Sequence, residues 1–168
     1  MNNCVLALAA RIDLPPLLEE LRLRGHPFLQ GWLLWRAAAD TPPPYPASAV
    51  TLWPDHGHGF LRPRAATLSE LMNRAALITF ADVGTCLVTG QAALLAVEAK
   101  PTTVADLLEI LAIAPDQIPD YAMGLAHGLV LIAQPGDEAL KLIDIADVFA
   151  AWGGTCIHTM PATQLAAS

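Results

Sequence analysis

Residues 129–160 read LVLIAQPGDEALKLIDIADVFAAWGGTCIHTM, and this stretch sets the architecture. Leu129–Ala133 is an apolar run of strand length. Asp137–Trp152 follows with Leu140, Ile143, Ala146 or Asp147, and Ala150 or Ala151 around one stripe at helical spacing. Gly153 and Gly154 break the helix, and Thr155–Met160 alternates as a closing strand.

The opening residues have the same order. Asn3–Ala10 is a short apolar strand ending in Arg11, and Asp13 stands where a helix cap belongs. Pro15 and Pro16 fall in the first helical turn, where proline is tolerated. Leu14, Leu17, Leu18 and Leu21 share one face, Gly25 is placed to end the helix, and Phe28–Trp35 reads as a second strand. Two such units, 3–36 and 129–160, are the ingredients of an α+β, ferredoxin-like βαββαβ sheet with helices covering one face. The usual short link between the units is replaced by an insertion over about 37–128. The whole of 1–168 is expected to be one domain.

The insertion has two parts. Pro42, Pro43, Pro44, Pro46, Pro54 and Pro63 make 37–66 a proline-rich loop, since they bar helix interiors and central strands. From Thr67, with Glu70 at the capping-box position, 67–128 reads as hydrophobic and helical. Ala75–Val97 carries a single charge, Asp82. Thr102 or Thr103 starts a helix through Ala112 that Pro115 stops, and Asp116–His127 gives another, with Gly128 past its end.

Composition narrows the function classes. Nine basic against sixteen acidic residues leave a net charge of −7, which excludes a general nucleic-acid binder. A hydrophobic fraction of 54% with 15% charged residues excludes disorder over most of the length. The mean hydropathy of +0.44 calls for an extra apolar surface facing lipid or a partner. Charge is also uneven: through Arg74 there are seven arginines and six carboxylates, and from Ala75 two lysines and ten carboxylates. Cys4, Cys86 and Cys156 are too widely spaced for a disulfide framework or zinc knuckle, and they suit a reducing cytoplasm. The N-terminus lacks the basic start of a signal peptide.

Residues 113–133, IAPDQIPDYAMGLAHGLVLIA, followed by the helix to Trp152 and GGTCI, resemble a bacterial general-stress or heat-induced stress-protein domain. Pro115, Tyr121, Gly124 and Gly128 carry the likeness, together with the apolar strand after them. It covers roughly 75–160, and Ala75–Val97 takes the place of that family's glycine- and alanine-rich segment, from which Asp82 and Gln91 depart. The resemblance implies a stress-associated, non-enzymatic module and transfers no catalytic residue or cofactor.

Few residues suggest chemistry. Asp55, His56 and His58 in an AspHisGlyHis loop are weak candidates for a Zn²⁺ or Cu²⁺ site, with His26 or His158 as a further ligand. His158 also shares a strand face with Cys156 and Met160, which makes a soft-metal set on paper. His127 fits better as a helix C-terminal residue. No nucleophile elbow, phosphate loop or dinucleotide fingerprint is present, and nothing in sequence near Cys86 would activate it. Trp32, Trp35 and Trp53 cluster with Phe28 and Tyr45 as core or interface aromatics.

Ala75–Val97 is long enough to span a bilayer, but Asp82 at the centre of such a helix costs roughly 2.5–3.5 kcal/mol and offsets most of the apolar gain. The favoured reading is a long helix or broken helical pair buried by association, with Ala81, Gly84, Thr85 and Gly90 allowing close approach. The sequence thus predicts a cytoplasmic, non-catalytic, stress-associated assembly protein without cofactor. It would self-associate as a homo-oligomer or dock to a protein partner. The alternatives are a membrane-associated accessory subunit anchored by 75–97 and a metal-binding or metal-sensing protein using His56 and His58.

Overall fold

The computed structural model describes residues 3–26, 31–36 and 76–161. Along them run β1 (Asn3–Ala9), a 3₁₀ turn (Arg11–Asp13), α1 (Leu14–Leu23), β2 (Trp32–Arg36), β3 (Ala76–Phe80) and β4 (Gly84–Val88). They are followed by α2 (Gly90–Ala99), α3 (Val104–Ile110), α4 (Ile118–Ala126), β5 (Val130–Gly136), α5 (Ala139–Ala151) and β6 (Thr155–Pro161). The chain is a mixed α+β structure with one six-stranded sheet in the order β3-β4-β2-β5-β1-β6, antiparallel at every pairing.

The sheet is covered on both faces. In β1 side chains alternate across the pleat, so Cys4, Leu6 and Leu8 enter a core with Leu34, Leu131, Ala92, Leu107, Tyr121 and Leu125. Val5, Ala7 and Ala9 enter a second core with Leu33, Trp35, Val130 and Ile132, closed by Leu14, Leu17 and Leu21 of α1 and Ile145, Val148 and Phe149 of α5. The apolar sequence of β1 follows from burial on both sides. A sheet with helices on one face is therefore replaced by three layers, with α2, α3 and α4 forming the additional one.

Two expectations change. The helix or helical pair over 75–97 is instead a β-hairpin, β3–β4, followed by α2, and only Gly90–Ala99 is helical. Ile78, Thr79, Thr85 and Val88 are β-branched and favour the pleat, while Asp82 and Gly84 supply the turn, with Gly84 at φ 101°. The expected stripe of α5 also faces the wrong way. Leu140 and Ile143 are 78% and 58% exposed, and the buried side is Ile145, Val148 and Phe149. Because α5 is apolar on most of its circumference, spacing alone does not select the inner face.

Helix boundaries follow local chemistry. Asp13 occupies the cap position of α1 without a capping bond from its side chain, and Pro15 and Pro16 lie in the first turn. Thr103 caps α3 in a reciprocal box with Asp106. At the end of α3, Ala112 N–H donates to Glu109 O at 2.9 Å and Ile113 N–H to Leu108 O at 3.0 Å, the paired bonds of a Schellman terminus. Ala112 adopts φ 65° to make them, where α1, α4 and α5 are followed by Gly25, Gly128 and Gly153 at positive φ and α2 by Lys100. A left-handed conformation strains an L-residue by roughly 1–2 kcal/mol, partly offset by the greater entropy glycine loses on folding. Ala112→Gly is accordingly expected to raise stability by about 0.5–1 kcal/mol, measured by urea unfolding at unchanged slope.

Candidate functional site

Three places in the structure gather side chains with chemical or binding capacity. The first is the hairpin with its flanking helices. Asp82, at the hairpin turn, accepts the Val104 N–H through Oδ1 at 2.9 Å, and Ala81 N–H donates to Thr102 O at 2.9 Å. The lone charge of the apolar segment therefore caps α3 and binds the turn to it. Ala81, Gly84 and Thr85 lie in or beside this turn, with Thr85 Oγ1 3.0 Å from Thr79 Oγ1. Gly90 lies apart from them at the start of α2, at φ 66°, where a Cβ would stand 2.6 Å from Gly31 O. The sequence expectation for these four residues is close approach of a long helix or helical pair; instead the first three shape a turn, and the fourth lets α2 approach the backbone before β2. Nearby, Thr89 is fully buried; it donates its N–H to Leu33 O at 2.9 Å and accepts the Leu33 N–H on Oγ1 at 3.0 Å.

Exposed apolar side chains remain on two sides of this region: Leu77 is 66% exposed on the sheet face opposite α2, and Leu94 and Val97 of α2 are 56% and 59% exposed. Phe80, Cys86 and Val88 face inward, and burial first, then the Asp82 charge, pushes the Cys86 thiol up to about 12. Such a thiol stays protonated at neutral pH and is a poor nucleophile.

The second place is the corner between α4, β1 and β6. Tyr121 is fully buried and donates its phenol to the carbonyl of Cys156 at 2.8 Å. Cys156 adopts φ 53° where the pairing of β6 with β1 shifts register between Leu6 and Leu8, so the tyrosine secures a β-bulge. His158 meets the Tyr121 ring edge-on, with centroids 6.1 Å apart. Burial raises the Tyr121 phenol above its ordinary range, and burial likewise pushes the Cys4 thiol up to about 12. Cys156, His158 and Met160 border this corner, yet among the described residues no three His, Cys, Asp or Glu side chains converge as a metal site. Asp55, His56, His58, Phe28, Tyr45 and Trp53 lie outside the described residues. His127 is the C-terminal cap residue of α4, as its position before Gly128 suggested.

The third place is a polar seam between α1 and α5 that sequence reading passed over. A Schellman terminus holds His26 at the end of α1, its N–H on Leu21 O at 2.7 Å. His26 Nε2 lies 2.7 Å from Asp144 Oδ2, and Arg24 Nη1 donates to Asp144 Oδ1 at 2.6 Å. Arg24 also reaches Glu20, which accepts the Trp152 indole N–H at 2.6 Å. His26 therefore serves a helix-to-helix contact. The partners are more than a hundred residues apart in sequence, and no local pattern pairs them.

No family model matches the chain, and no curated protein or solved structure is significantly similar to it.

Two outcomes follow from these geometries. Asp82→Ala leaves the first N–H of α3 without its acceptor and should lower stability by about 1–2 kcal/mol in denaturant unfolding. At the seam, hydrogen bonding from His26 and then Arg24 holds the Asp144 carboxyl below its ordinary value. A depressed carboxyl contributes stability above the ordinary carboxylate range and loses it as pH falls through the folded value. Asp144→Asn should therefore lower the thermal midpoint near pH 6, and the gap from the parent chain should close below about pH 4.

Proposed function

We propose that this chain is a non-catalytic, stress-associated assembly protein that acts through an exposed apolar surface, joining copies of itself or docking to a partner complex. One observation carries the reading. In a chain of net charge −7, the run from Ala76 to Val97 contains only Asp82 as a charged residue, and it forms an outer strand, a turn and a helix with Leu77, Leu94 and Val97 exposed. Leu94 and Val97 stand three residues apart on the outer side of α2, and such exposed apolar pairs recur at binding surfaces, while Leu77 adds a separate apolar position on the opposite face of the sheet. The stress association rests only on the sequence likeness over 75–160.

The spatial order β2-β5-β1-β6 supports reading the scaffold as two split βαβ units, β1-α1-β2 and β5-α5-β6. On that reading the insertion adds a hairpin beside β2 and a helical layer over the second face. Among the described residues no helix is long and apolar enough to cross a membrane. An anchor running through 75–97 would need the hairpin to unpair.

Ultracentrifugation of a detergent-free lysate, followed by light scattering of the purified soluble chain, tests the proposal. Particles of defined mass, larger than one chain alone, are expected. A monomer at every concentration, with no companion protein co-purifying, overturns it. Carbonate-resistant sedimentation with membranes overturns it in favour of the anchored subunit.

A further inference from the structure

We draw no further inference here: the strongest candidate, the apolar pair Leu94 and Val97 on the outer side of α2, belongs to the surface already described, and nothing in the structure shows what covers it.

Discussion

Between its hydrogen bonds to β5 on one side and β6 on the other, β1 sends Cys4, Leu6 and Leu8 into one core and Val5, Ala7 and Ala9 into the other. A strand with water on neither face needs a helical layer on each. One layer, α1 and α5, lies next in sequence to the strands it covers. The other has to come from elsewhere in the chain, and α2, α3 and α4 provide it. The long insertion is thus an integral part of the core, because without it Leu6, Leu8, Leu34 and Leu131 would face solvent. At roughly 1.5–3 kcal/mol for each large apolar side chain removed from water, that exposure would outweigh the stability of a typical small domain.

How much of this was legible depended on whether the signal was local. The α1 face was readable because Leu14, Leu17, Leu18 and Leu21 alternate with polar residues, and all four are buried. Thr103 was readable as a cap, and Gly128 as a terminus, because both act on their own helix. The hairpin over 76–88 was misjudged because length and lack of charge were weighed above β-branching and the Asp-Val-Gly turn, which are the stronger guides in a segment of this size. The face of α5 failed for a different reason: Leu140 and Ile143 are as apolar as Ile145 and Val148, so the sheet decides which pair turns inward.

The candidate site divides along the same line. Asp82 was visible as the one charge in an apolar run, but its role depends on Val104, more than twenty residues later. The seam of His26, Arg24 and Asp144 joins the two strand–helix–strand units of the chain, and nothing near either end announces the other. Individual histidines and cysteines could be found in sequence, while their partners are a product of the fold.

Those partners also determine which groups remain available for chemistry. Tyr121 spends its phenol on the Cys156 carbonyl, His26 is engaged with Asp144, and the Cys4 and Cys86 thiols are held protonated by burial. Reactive side chains are thus used as structural fasteners. Surface apolarity follows the opposite pattern, since it persists after both cores are filled, on Leu77 at the edge strand and on Leu94 and Val97 of α2. A fold that covers both sheet faces and blunts β6 with a bulge has the devices to protect an edge. At β3 none of them appears in the strand itself. Folding alone does not require that difference, because a charge at the outward position of Leu77 would leave both cores intact.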